Sequence, residues 1–236
     1  MTFSRETHVA DIAAAVPSSV RVFQRFGIDF CCGGRKPVGE VCAEHEVPYE
    51  ELAAAIEASA ADRSPEERNW TAEPLTALAD HIEARYHARL REELPRLEQM
   101  AWKVSAVHGG KGAQPLERVH AVVRELAAEL QDHMIKEERI LFPSIRGLEL
   151  NRPGVPIAVP VAVMEQEHEH AGALLAELRE ITDGYVAPEW ACQTYRSLFH
   201  GLDELERDMH VHVHLENNVL FPRAMGLAGS AATGGD

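Results

Sequence analysis

One short pattern occurs twice in the chain: HMIKEERILFP from His133 to Pro143, and HVHLENNVLFP from His212 to Pro222. Both copies read His, three residues, Glu, three residues, then Leu-Phe-Pro. On a helix, a histidine and a glutamate four positions apart lie on one face, one turn from each other. Two such pairs are the ligand supply of a metal site, and they require two helices whose inner faces meet. His87 and His133 are separated by nearly the same length of chain as His168 and His212. A helix hairpin used twice explains this spacing. Each hairpin offers a histidine on its first helix and a His/Glu pair on its second, and the halves face each other about a pseudo-twofold axis.

The rest of the sequence fits an all-α protein. Ala, Leu and Glu are plentiful and aromatics make up only 6% of the 236 residues, which favours helices over strands. From Pro74 the spacing predicts four long helices. The first reaches about His108, and the second runs from about Pro115 to Glu149. The third ends near Gly184, and the fourth starts at Pro188 and ends near Gly226. Short connections between long helices predict an antiparallel four-helix bundle. Residues 1–62 read as a small helical domain, with Gly27 ending its second helix. Residues 63–73 are polar, contain Pro65 and read as a linker. The bundle domain spans 74–226, and the small polar residues 227–236 read as a disordered tail.

Thirteen histidines must be sorted, and the apolar stripe does this, because a bundle-core ligand must sit on the buried face. On the fourth helix the stripe is Leu198, Leu202, Leu205, Met209, His212, Glu216 and Val219. His210 and His214 lie about 200° around the helix from His212 and read as solvent-facing. On the second helix the stripe is Val119, Val122, Leu126, Leu130, His133, Glu137 and Ile140. His168 lines up with Val161, Met164, Ala171, Leu175 and Leu178, and His87 with Leu90, Leu94, Leu97 and Ala101. Any one of these could be an ordinary buried, hydrogen-bonded histidine. Four at matched positions, two with a glutamate one turn on, point to metal, since a buried carboxylate without a compensating cation is very costly.

The metal ligands are thus His87, His133, Glu137, His168, His212 and Glu216. Six donors exceed a tetrahedral zinc site, and four imidazoles are too nitrogen-rich for calcium or magnesium. They suit two first-row metals. If Glu137 and Glu216 both bridge, each metal has two histidines and two carboxylate oxygens, and with an oxo or hydroxo bridge each octahedron keeps an open position. A ferritin-like plan needs Glu-x-x-His twice, and only Glu165 to His168 fits that spacing. Glu129, one turn before His133, and Glu167, beside His168, read equally well as outer acids supporting the ligands or as surface glutamates.

The residues HMIKEERILFP, VMEQEHEHAG, HLENNVLFPRA and the Tyr86-His87 pair resemble the hemerythrin-like HHE domain. With FGIDFCCGG near the N-terminus, the chain from about residue 8 to 226 is similar to the iron–sulfur cluster repair di-iron proteins, the repair-of-iron-centres family. That resemblance implies a hemerythrin-like bundle holding two non-haem iron ions on the six ligands, with Glu137 and Glu216 bridging. It also implies repair of iron–sulfur clusters damaged by oxidative or nitrosative stress, with damaged iron–sulfur proteins as clients, and a homodimer. Oxygen-carrying hemerythrins use five histidines, and only four lie on these stripes, which argues against reversible oxygen carriage.

Cys31 and Cys32 precede Gly33 and Gly34, which permit backbone bends other residues resist. As thiols they could hand over iron, reduce a partner or cap a metal in transit. They could also be small hydrophobes under a tight turn, or join Cys42 and His45 around zinc, although the spacing lacks a C-x2-C knuckle. Family likeness favours the functional roles. Cys192 reads as structural. Adjacent cysteines pair poorly, so reduced thiols in a cytoplasm are expected. The start MTFSRETHVADIAAAVPSS lacks a basic segment leading into an apolar one, so no targeting segment is expected. No apolar run approaches the roughly 20 residues of a membrane span. The net charge of −15 repels nucleic acid and anionic membrane and excludes both as partners.

Three functions remain distinct. One is cluster repair, by iron donation or removal of nitric oxide. Another is an enzyme reducing nitric oxide to nitrous oxide, since two ferrous ions hold the electrons to couple two molecules. The third is a sensor or reservoir for dioxygen, nitric oxide or iron. The cysteine-bearing domain favours the first, since sensing does not need it.

Overall fold

A computed structural model describes residues 3–61, 68–112, 114–150, 152 and 156–233. Among the described residues every regular element is helical, apart from one isolated bridge between His8 and Pro37. The small N-terminal helices are α1 (Val9–Ala15), α2 (Ser19–Phe26), α3 (Val38–Glu44) and α4 (Tyr49–Ala61). The long helices keep the expected order. The first is α5 (Leu75–Ile82), a π turn (Glu83–His87) and α6 (Ala88–His108). The second is α7 (Leu116–Lys136), a π turn (Glu137–Leu141) and α8 (Phe142–Glu149). The third is α9 (Ala158–Ile181), and the fourth is α10 (Gln193–Leu215), a π turn (Glu216–Leu220) and α11 (Phe221–Thr233).

These elements form two compact units. One comprises Met1–Ala79, Arg146–Pro153 and His210–Asp236, and the other Asp80–Ile145 and Gly154–Met209. The end of the fourth helix belongs to the same unit as the N-terminal helices. Val211 joins the core of Val9, Phe23, Phe30, Val38, Leu52 and Ile56. That core depends on a sharp end to α2. Gly27 takes φ 65°, its N–H bonds to the Gln24 carbonyl, and the Ile28 N–H reaches back 2.9 Å to the Phe23 carbonyl. This is the left-handed cap that glycine allows without penalty, and it turns Ile28 and Phe30 inward.

Of the expected linker, residues 63–67 lie outside the described residues. The remainder of the linker is anchored at the start of the first long helix. Arg223 donates to the carbonyls of Trp70 (2.8 Å) and Glu73 (2.7 Å), and Glu149 accepts the N–H groups of Leu75 (2.6 Å) and Thr76 (3.0 Å). These are helix-start donors with no partner inside α5. Burial works to raise the Glu149 carboxyl, but the Thr76 and Leu75 donors and the Arg223 charge outweigh it and hold the carboxyl below its ordinary value. Glu149→Ala is therefore expected to cost about 1 kcal/mol, the usual worth of a helix cap. The stabilisation is complete at neutral pH and is lost as the pH falls through the depressed value. Urea melts at pH 7 and pH 3 should show the variant's deficit shrinking in acid; an equal deficit at both would rule out a charged cap.

Residues 227–233 fall in the stretch expected to be a tail. They continue α11 to Thr233, because alanine and leucine keep helix propensity high despite the glycines. Residues 234–236 lie outside the described residues.

In the other unit α6, α7, α9 and α10 pack as an antiparallel bundle. Direction is read from the pairs they make. Arg89 meets Asp208 (2.8 Å) near one end, and His108 meets Cys192 (3.3 Å) at the other. Arg118 bonds Glu177 (2.7 Å), while His133 bonds Glu167 (2.9 Å). Gly201 sits where α10 crosses α6, and a Cβ there would lie 2.7 Å from Leu97 Cδ2. The core-facing residues expected on all four stripes are buried except one: Ile140 is 51% exposed. The π turn inserts an extra residue into the helical repeat, so Leu141 and Phe142 point inward instead. A plain 3.6-residue period misses this.

Candidate metal centre

The Leu-Phe-Pro endings do not turn the chain. They sit in continuous helices, each directly after a π turn. The Phe142 N–H bonds to the Glu137 carbonyl and the Phe221 N–H to the Glu216 carbonyl, five residues back. Pro143 and Pro222 lack an N–H, and in a regular helix each ring would clash with the carbonyl four residues earlier. The wider turn removes that conflict. Such turns recur at functional sites, and here each begins at a glutamate expected to bind metal. A third π turn ends at His87 without a nearby proline.

Four of the expected ligands converge in the bundle unit. Glu137 is fully buried, as is His87, with His133 and His168 at 3% and 2% exposure. Glu137 Oε2 lies 3.2 Å from His87 Nε2 and 3.3 Å from His133 Nε2. The Nε2 atoms of His133 and His168 are 3.1 Å apart. Phe142 stacks on the His87 ring at 5.8 Å and closes that side.

The outer ring nitrogens fix the tautomers. His87 Nδ1 donates to Glu138 Oε1 at 2.7 Å, and His133 Nδ1 donates to Glu167 Oε2 at 2.9 Å. A carboxylate can only accept, so each Nδ1 carries a proton, and in the neutral ring that metal binding requires each Nε2 keeps its lone pair. Each carboxylate is also paired with a cation about one turn beyond its histidine: Glu138 with Arg91, and Glu167 with Lys136. Burial works to raise both carboxyls, but the cation and imidazole together outweigh it and hold each below its ordinary value. Both remain acceptors at neutral pH.

Acceptors therefore face acceptors at the centre. Neither oxygen of the buried Glu137 carboxylate accepts a hydrogen bond, yet two imidazole lone pairs point at one of them. Buried contact of that kind is repulsive unless a cation lies between the groups. Imidazole nitrogen and carboxylate oxygen suit first-row transition metals, so the residues present fit a metal centre. On the fourth helix, in the other unit, His212 and Glu216 are equally buried, with Nε2 and Oε1 3.1 Å apart.

Some expected residues fall elsewhere. Glu129 pairs with His170 at 3.0 Å on a part-exposed surface and reaches no ligand histidine. Glu138 holds His87 as Glu167 holds His133, a role the stripe could not reveal because Glu138 lies off it; Arg91 four residues after His87 was the available signal. His214 is buried and His210 is only part-exposed, where both were expected to face solvent. The N-terminal helices cover that side of the fourth helix, so His214 is 2% exposed, donates Nδ1–H to the Phe30 carbonyl at 3.2 Å and meets the Phe30 ring. Burial lowers its pKa to about 4, so His214 is neutral at physiological pH. Cys31 is buried beneath this contact and Cys32 is exposed. Cys42 is part of the small unit's core. Cys192 is exposed beside His108, not packed as expected. Among the described residues, no group of donor atoms close enough to hold a metal includes a cysteine.

The sequence profile of the hemerythrin HHE cation binding domain matches residues 78–224, which include all six expected ligands. The chain belongs to that family. Residues 5–60 match a second family profile, a domain of unknown function designated DUF542. Among curated relatives, the iron-sulfur cluster repair protein YtfE of Pectobacterium atrosepticum is 40% identical over 225 residues, covering 94% of this chain and 97% of its own length. The protein of that name from Edwardsiella ictaluri is 40% identical over 227 residues, covering 96% and 99%. That from Escherichia coli O157:H7 is 38% identical over 222 residues, covering 94% and 97%. The likeness thus includes both domains in the same order. Among the described residues, no helix is long and apolar enough to cross a membrane.

Proposed function

We propose that the chain is a di-iron protein that repairs damaged iron–sulfur clusters, with His87, Glu137, His212 and Glu216 around one iron and His133, Glu137, His168 and Glu216 around the other. Glu137 and Glu216 belong to both groups and would be shared by the two ions. The observation that carries this reading is the Glu137 carboxylate, buried without a hydrogen bond and facing imidazole lone pairs. The names of relatives alike over nearly the whole chain support the repair function. When bound, the iron pair supplies transferable iron and open positions for nitric oxide or dioxygen.

The protein's own groups set the terms of that chemistry. Glu138 and Glu167 hold protons on Nδ1 and keep Nε2 available. Phe142 shields the His87 side. A cavity of about 380 Å³ reaches His133 and His168 and is bordered by Glu129, Asp132, Glu167 and Lys136. Its acidic groups favour an approaching cation, which gives Glu129 a place at the entrance instead of beside a ligand. Cys31 and Cys32 are the working thiols of the small domain, and free thiols suit a reducing cytoplasm.

Anaerobic iron loading and then incubation with an apo-ferredoxin tests the reading. Roughly two irons per chain, with transfer that restores the ferredoxin cluster, is the expected result. Catalytic nitrous oxide from a nitric oxide titration without iron transfer would favour the reductase. A chain that takes up only zinc would overturn both. Sedimentation of the loaded chain tests the homodimer that belongs to this reading.

A further inference from the structure

The loop that carries the two cysteines is held from both sides, and the restraints treat the thiols differently. Asp29 forms its inner wall. Its Oδ1 accepts the N–H groups of Cys31 (2.8 Å) and Cys32 (3.1 Å) and the Cys31 thiol (3.3 Å), while Oδ2 accepts the Gly33 N–H at 2.8 Å. Three successive backbone donors on one carboxylate define the loop's curvature. Gly34 then returns so close to the chain that a Cβ would lie 2.7 Å from the Phe30 carbonyl oxygen. The outer wall comes from the fourth helix. Asn218 Nδ2 donates to the carbonyls of Phe30 (3.2 Å) and Cys31 (3.1 Å). Asn218 lies in the π turn that begins at Glu216.

The two sulfurs are 3.9 Å apart but differ in setting. Cys31 is 6% exposed, its thiol proton directed at Asp29, and Cys32 faces solvent. We infer that Asp29 and Asn218 are positioning residues that make the thiols unequal: Cys32 is the sulfur that an incoming soft electrophile meets first, and Cys31 is withheld until the clamp loosens. Contact with Cys32 and burial raise the Cys31 thiol well above its ordinary pKa, and the Asp29 charge adds to this. Since the thiolate is the nucleophile, that shift acts in the same direction as the loss of access. The inference rests on the reading of these cysteines as the working thiols, and names the order in which they work.

Timed alkylation of the full-length chain by iodoacetamide, read by peptide mass spectrometry, tests it. In each event the sulfur forms a bond to the probe's methylene carbon, iodide leaves with the C–I electron pair, and the thiol proton goes to solvent. Cys32 is expected to react about tenfold or more faster than Cys31, because the exposed sulfur is the accessible one. Asn218→Ala and Asp29→Ala should each speed Cys31 while Cys42, in the core, stays unlabelled. Asp29→Ala should also move the Cys31 pH–rate inflection downward, and further than Asn218→Ala, which loosens the loop without removing a charge. Equal rates for Cys31 and Cys32 in the unsubstituted chain would overturn the inference, as would an unchanged Cys31 rate in both variants. If Asp29→Ala exposes Cys42, Asn218→Ala and the unsubstituted ratio decide. No step of this assay uses iron or a damaged cluster, so its failure is distinct from failure of cluster repair, for which loss of repair in Cys32→Ser is the separate check.

Discussion

Glu137→Ala is expected to abolish the proposed dinuclear centre while leaving the chain folded. Glu137 lies inside the bundle unit without a hydrogen-bond donor on either carboxylate oxygen, and it faces His87 and His133. If it bridges two irons, alanine removes a donor from each at once. The effect on stability should depend on metal. In the iron-loaded protein, stabilisation by binding is about 2.7 kcal/mol when free metal is a hundredfold above its dissociation constant, and that increment should disappear. In the iron-free protein the sign reverses, because a buried carboxylate that no donor satisfies is a burden. Its removal should stabilise the apo chain, since an unsatisfied buried polar group costs roughly 1–3 kcal/mol, less whatever the cavity left by alanine costs. Iron content per chain and melting curves with and without chelator test both halves. Two irons per chain in Glu137→Ala would remove the bridging assignment, and a destabilised apo form would show that the carboxylate has a structural role instead. Glu216→Ala should lose the centre likewise, whereas His214→Ala should leave iron content intact and disturb only the packing around Phe30.

Glu138→Gln and Glu167→Gln should each weaken iron binding by about 10–100-fold, the usual cost of removing a carboxylate that orients a ligating histidine. Neither residue is among the proposed ligands. Each holds the proton on the outer nitrogen of its histidine, His87 for Glu138 and His133 for Glu167. The amide of glutamine can donate as well as accept, so the alternative tautomer is no longer excluded and the inner nitrogen's lone pair is available only part of the time. Glu129→Gln is the control: it bonds His170, not a ligand histidine, and should leave equilibrium affinity near that of the parent while slowing iron uptake. Competition with a calibrated chelator measures the first and stopped-flow loading the second. Equal affinity loss in all three variants would mean that the acids act through general charge and not through tautomer control.

How much of the fold and the centre is legible in the sequence depends on what each residue answers to. Leu126, Leu130, His133 and Glu137 occupy one helical face by counting alone, and all are buried. Sequence spacing exposes such relations because the α-helical repeat is a property of the backbone. Ile140 breaks the count, since the proline two residues beyond Leu141 is accommodated by a π turn that shifts the repeat. Glu138 and Glu167 could not be ranked against Glu129 from sequence, because all three are glutamates close to a ligand in the chain. What separates them is which nitrogen each reaches across a helix–helix contact.

The fourth helix shows the same division most clearly. Its inner face, with His212 and Glu216, is set by periodicity and by the repeat of His-x3-Glu-x3-Leu-Phe-Pro. Its other face carries charged residues and two histidines, and by composition belongs in water. The N-terminal helices cover it instead, so that His214 and Asn218 hold the backbone of the cysteine loop. Spacing and motif were enough for the helices, for the face of each that carries the proposed ligands, and for the family. Contacts across the fold set which acids bond the histidines, where the helical repeat gives way, and which cysteine is buried. Those outcomes depend on contacts between residues far apart in the chain, and local periodicity carries no information about them.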